Sequence, residues 1–145
     1  SYTTDNLAGD SRANKAVLRD APKEASGLVG NHDVWIYQSN VDMVPIIRNE
    51  ELILLYAEAN MASSPSDAVD AINVIRGAAG LGNYGGATTI DALEDEILFQ
   101  RRYSLFGESH RWIDMRRFDR LSELPNDRAS DNVPSAVPIP ANENQ

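Results

Sequence analysis

The sequence predicts a mainly α fold, built from tetratricopeptide-like antiparallel helix pairs with long irregular loops. Three observations predict it. Apolar residues recur at helical spacing only within residues 45–119, the segment SSPSD at 63–67 reads as a helix stop followed at once by a restart, and Gly and Pro punctuate the flanks of the periodic zone. Residues 1–44 are polar and broken by Gly9, Pro22, Gly27 and Gly30, so they read as an irregular segment with a short strand. Residues 45–119 form the helical core. Residues 120–145 carry Pro125, Pro134, Pro138 and Pro140, which forbid regular helix and favour an extended tail.

In chain order, Val34-Trp35-Ile36-Tyr37 has the β-branched and aromatic content of a short strand, on which the alternate residues Trp35 and Tyr37 point the same way. A first helix is expected from about Arg48 to Ala62. Leu52, Leu55, Ala59 and Ala62 recur at helical spacing, with Ile53, Tyr56 and Ala57 on an adjoining face, an arc wide enough to imply burial on more than one side. Ser64 can then cap a second helix, Pro65 suits its first position, and Asp67 stands where a capping acid belongs. That helix buries Ala68, Ala71, Ile72 and Ile75, and Gly80 suits a left-handed C-terminal cap. The pair occupies about 34 residues, the length of one tetratricopeptide-type unit, and such a unit cannot bury both of its faces alone. GLGNYGGATT at 80–89 is a loop; it follows no strand and has no Lys, which argues against a phosphate loop. A third helix is expected from Thr89 or Asp91 to about Phe106, acidic early and basic late in accord with the helix dipole. After Gly107, a fourth from about Glu108 to Phe118 presents Trp112, Met115 and Phe118 on one side, with Trp112 expected in the core.

Composition removes several functions. The 145 residues carry 13 Lys and Arg against 22 Asp and Glu, a net charge of -9, and no basic cluster, so a polyanionic duplex would be repelled and nucleic acid is not an expected partner. There is no Cys, hence no disulfide framework, thiolate metal site or cysteine nucleophile. The longest apolar run, 52–57, is far short of the roughly 20 residues a spanning helix needs, and SYTTDNLAGD lacks the order of a signal peptide.

Three motifs in order, PIIRNEELILLYAEA (45–59), AINVIRGAAGL (71–81) and ILFQRRYSLFGESHRWIDMRRF (97–118), followed by VPIP (137–140), resemble the C-terminal portion of the SusD/RagB family of starch-binding-type outer-membrane lipoproteins of Bacteroidetes. The continuous resemblance spans about residues 44–118. The chain departs from the family pattern at Gln100 and Ser104, where Glu is usual or frequent, at Ser109, where Gly is usual, and at Ala78, where Arg is usual. The resemblance implies a C-terminal fragment of a longer protein whose lipid-modified Cys, and with it the membrane anchor, lies in an absent N-terminal part. It further implies a cell-surface protein of the outer membrane that captures oligosaccharide or another nutrient and hands it to a SusC-like TonB-dependent transporter, with no catalysis and no cofactor.

Candidate residues fall into two groups. Arg48, Glu51, Glu58, Arg76, Arg101, Glu108, Arg111 and Asp114 lie among apolar neighbours, where charge is tolerated only when paired, and are expected to form a structural ion-pair network. His110 and Asp114 share a helix face, but His32 is distant in sequence, so no metal site is expected. The acid- and amide-rich stretch 122–132 lacks an ordered calcium loop. Sugar contacts are sought among aromatics, which stack on pyranose faces: Trp35 and Tyr37, with Gln38, Asn40 and Asp42 nearby, and Asn83 with Tyr84 in the glycine-rich loop. The alternative for Trp35 and Tyr37 is that they merely cover the helix pair. Two rival functions stand beside the transport reading: a tetratricopeptide-like protein-interaction module that binds a peptide, and a glycoside hydrolase built on Glu108 and Asp114.

Overall fold

The computed structural model describes residues 5–137, 139 and 140. It is mainly α. Four helices, α1 (Asn49–Asn60), α2 (Pro65–Ala78), α3 (Ile90–Ser104) and α4 (His110–Arg117), follow a hairpin of β1 (Ala16–Ala25) and β2 (Leu28–Val34). Short 3-10 turns cover Ser11–Lys15 and Leu121–Glu123.

The helix starts and stops have local causes. Pro65 opens α2 at a position where its missing N–H costs no hydrogen bond. Gly80, at φ +79°, closes the same helix: Leu81 N–H reaches the Arg76 carbonyl at 2.9 Å and Gly80 N–H that of Gly77 at 3.1 Å, the paired bonds of a Schellman cap. Thr89 caps α3 with its side chain, which accepts from Ala92 N–H. Gly107 (φ +80°) and Ser109 (φ 64°) turn the chain sharply into α4. The core is the seam of the first three helices, with Ala57 of α1, Ala68, Ala71 and Ile72 of α2, and Leu93 and Ile97 of α3 buried together. Alanines on both α1 and α2 let the two backbones approach closely.

Only one side of α1 is covered. Leu54 and Ala57 are fully buried, whereas Leu52, Leu55 and Tyr56, with Val74 of α2, remain exposed, so the second side of the wide apolar arc lies open. The approach to α1 is open too, with Met43 at 93% and Ile46 at 97% exposure.

The N-terminal zone differs from expectation. In place of a strand at residues 34–37, β1 and β2 pair antiparallel, Ala16 opposite Val34 and Ala25 opposite Leu28, and Trp35 to Tyr37 lie beyond the end of β2. The cause is the two-residue turn Ser26-Gly27, whose φ angles of 53° and 77° are both left-handed, the geometry that matches strand twist in tight hairpins. The ladder is irregular between Leu18 and Lys23, a stretch that includes Pro22, which has no N–H to donate. Little alternation is visible in the sequence because most hairpin residues on both faces are exposed. Below the hairpin, Ser11 N–H bonds to the Ala79 carbonyl at 3.0 Å and Lys15 Nζ donates to the Tyr103 and Ser104 carbonyls, so the first turn caps the C-terminal ends of α2 and α3. The proline-rich tail crosses α4, where Trp112 Nε1 donates to the Pro134 carbonyl at 2.9 Å. Pro138 of the VPIP motif and residues 141–145 lie outside the described residues.

Candidate functional site

Charged residues on the helices meet across element boundaries. Arg48, just before α1, places Nε 2.6 Å from Glu108 Oε1; the contact is ionic, with poor hydrogen-bond alignment at both atoms. Glu51 stands 3.7 Å from His110 Nδ1, and Glu58 is gripped by Arg117. Arg101 Nε donates to Asp114 Oδ2 at 2.7 Å in an almost fully buried pair, and Arg117 reaches Asp114 Oδ1 at 3.3 Å. Arg76 pairs with Glu96 at 2.7 Å. The contacts of Glu51, Glu58 and Arg101 hold α4 to α1 and α3, and that of Arg76 holds α2 to α3. Glu108 and Asp114, the carboxylates a hydrolase would use, each face a guanidinium within the fold, and Asp114 is only 4% exposed at its side chain. Among the described residues no group of three or more His, Cys, Asp or Glu side chains could hold a metal ion.

Arg111 is the exception. It lines a cleft, half-buried, and its hydrogen bond is a long one, Nη1 to the Leu98 carbonyl at 3.5 Å. Burial, followed by the charge of Arg102, pushes its pKa down, the direction expected of a cation whose surroundings do not fully compensate it. The cleft, about 910 Å³, opens between the end of α3, α4 and residues 123–127, and its walls include Phe106, His110 and Trp112. Trp112 is therefore half-buried at the cleft wall and outside the core; Arg116 lies 5.4 Å from its ring centroid and the tail carbonyl takes its indole N–H. The helical spacing that groups Trp112 with Met115 and Phe118 does not separate a cleft wall from a core: Met115 alone of the three is fully buried.

The four sugar-contact candidates separate into two places. Trp35 and Tyr37 flank Ile36, whose Cδ1 fills the space that a β-carbon on Gly107 would occupy. With Ile36 turned to the α3–α4 turn, the two rings are left 46% and 39% exposed. Beside them Asp42 accepts from Gln38 N–H, Ser39 N–H and the Ser39 hydroxyl, which fold residues 38–42 into a compact loop and hold the Asp42 carboxyl below the usual carboxylate range. Tyr84 is less open than its glycine-rich neighbourhood suggests. Its ring packs on the core seam, its hydroxyl donates to the Ala87 carbonyl at 2.9 Å, and its backbone N–H bonds to Asn73 Oδ1 at 2.7 Å. Burial raises its phenol pKa, with Glu96 and Asp95 adding to the rise. A β-carbon at Gly86 would run into that ring, so the glycine is the space the tyrosine fills. Asn83 remains exposed on the same loop.

The described residues thus form a helical scaffold with many of its acids in internal pairs and with two exposed rings, Trp35 and Tyr37, at one edge. The model of the SusD family matches residues 3–140, and the chain belongs to that family. It is 29% identical over 127 residues to the SusD-like protein P38 of Formosa agariphila, an alignment covering 80% of this chain and 25% of that relative. The chain thus spans about a quarter of the length of the known relative it matches. No solved structure matches. Members of this family are binding proteins, and nutrient or glycan binding is their general role.

Proposed function

We propose that this chain is the C-terminal part of a cell-surface lipoprotein that binds oligosaccharide and passes it to a SusC-like TonB-dependent transporter of the outer membrane, with a lipid anchor in a preceding segment and no catalysis of its own. What supports the reading is the outward-facing pair Trp35 and Tyr37 on a chain of this family. Their rings supply stacking surface, and Gln38 and Asn40 supply amides for sugar hydroxyls. Asn83 contributes from the glycine-rich loop, while Tyr84 shapes that loop from beneath. The ion pairs of α1, α3 and α4 are scaffold. No helix among the described residues is long and apolar enough to cross a membrane.

Calorimetric titration with a panel of oligosaccharides tests the reading. For any glycan that binds, Trp35→Ala or Tyr37→Ala is expected to weaken affinity about three- to ten-fold, the worth of one aromatic contact, with the melting temperature unchanged. Unaltered affinity in both variants would remove the pair from the site.

A further inference from the structure

Most acids around the cleft at the end of α3 are already committed. Arg101 and Arg117 hold Asp114, Arg120 Nε donates to Glu123 Oε1 at 2.5 Å, and Arg102 Nη2 reaches Asp5 at 3.0 Å. Arg111, with five N–H donors, faces the same space and makes no ion pair among the described residues; the charges of Asp114 and Glu123 offset only part of its burial, and its pKa stays lowered. Asp127, which also lines the cleft, has no ion pair among the described residues. A half-buried guanidinium without a direct ionic partner is costly, and an anion that pairs with it offsets that cost. The cleft volume of about 910 Å³ lies within the usual range of small-molecule sites, and Trp112 and Phe106 give it apolar wall.

We propose that this cleft binds the anionic substituent of an acidic sugar residue, a carboxylate or a sulfate ester, with Arg111 as its counter-ion. The planar fork of Arg111 suits a two-oxygen acceptor, and Asp127 accepts hydroxyls from the same ring. A neutral sugar leaves the guanidinium uncompensated, so the cleft selects charge where the Trp35 and Tyr37 edge selects ring faces. The inference rests on the oligosaccharide-binding reading above and adds a substrate class to it.

The test begins with the unaltered chain and three ligands of equal length: an oligogalacturonide, its methyl ester, and a sulfated galactose oligomer. An acidic oligomer is expected to bind about ten-fold or more tightly than the ester, the worth of a charge-assisted bond, and its advantage should shrink as salt rises. Whichever acidic ligand keeps the advantage identifies the substituent. Arg111→Gln should abolish the difference while leaving affinity for the methyl ester in place, and Arg111→Lys should restore part of it. Equal binding of both acidic ligands and the ester, or an advantage that survives Arg111→Gln, overturns the proposal and leaves the aromatic site standing. If Arg111→Gln does not fold, the comparison on the unaltered chain decides. Arg111-dependent binding of an acidic peptide, with no binding of acidic sugar, assigns the cleft to peptide and overturns it as well. Failure of every sugar to bind, with or without charge, removes the reading on which it rests.

Discussion

Asp10 shows how one carboxylate fixes the N-terminal segment. Burial alone would raise its pKa, but Arg12 donates from Nε to Oδ1 at 2.9 Å, from Nη2 to Oδ2 at 2.7 Å and from the backbone at 3.0 Å, and together these hold the carboxyl below its ordinary value. Arg12 extends from there to the Ser104 hydroxyl at 3.0 Å, so ionised Asp10 ties the first turn to α3. Because the native pKa lies below the unfolded value of about 3.9, this stabilisation is fully present above about pH 5 and is lost as acid protonates the native carboxylate. Asp10→Asn is therefore expected to flatten the loss of stability between about pH 5 and pH 2 in denaturant titrations; a slope equal to that of the parent would show that Asp10 is not linked to folding. At the same scale, buried Gln100 donates from Nε2 to Glu96 at 2.7 Å while its Oε1 has no partner among the described residues, an unmade bond that costs stability.

The helices were the legible elements. Pro65, Gly80 and Thr89 stand at positions whose chemistry is local, and α2 and α3 begin within a residue or two of where the sequence places them. Gly80 adds a check: at φ +79° an alanine is strained, and its β-carbon would lie 3.4 Å from the Gly9 carbonyl oxygen. Gly80→Ala should cost about 1 kcal/mol, read as a lower urea midpoint with unchanged slope, whereas Gly82→Ala, in open space at ordinary φ, should cost less. The hairpin was not legible, although Ser26-Gly27 is a two-residue turn signal. Its strands have most residues exposed, and without burial no alternation is imposed on them. The site was partly legible. Trp35 and Tyr37 could be singled out by type, but their exposure depends on Ile36 meeting Gly107, a contact between residues about seventy apart that no local pattern encodes. The cleft around Arg111 was missed for the same reason, since spacing groups Arg111 with charges that find partners elsewhere.

Across the whole molecule, apolar surface is unevenly distributed. Leu52, Leu55, Tyr56 and Val74 form an open face on α1 and α2, continuous in sequence with the exposed approach through Met43 and Ile46. Large apolar patches on a folded surface commonly mark contact with other polypeptide, and this chain spans a quarter of its relative. The chain alone is expected to bind a hydrophobic dye in its native state, and Leu55→Glu should reduce that fluorescence without lowering the melting temperature; dark native protein would mean that the face is closed in solution. The opposite flank is organised differently. Helix α4 buries Asp114 and Met115, and its remaining ties to α1, through Arg117 with Glu58 and His110 with Glu51, are partly exposed. Concentrated sulfate would therefore act on the two flanks in opposite senses, driving the oily one to seek cover and slackening the ionic one, while the enclosed Arg101 and Asp114 pair is screened least.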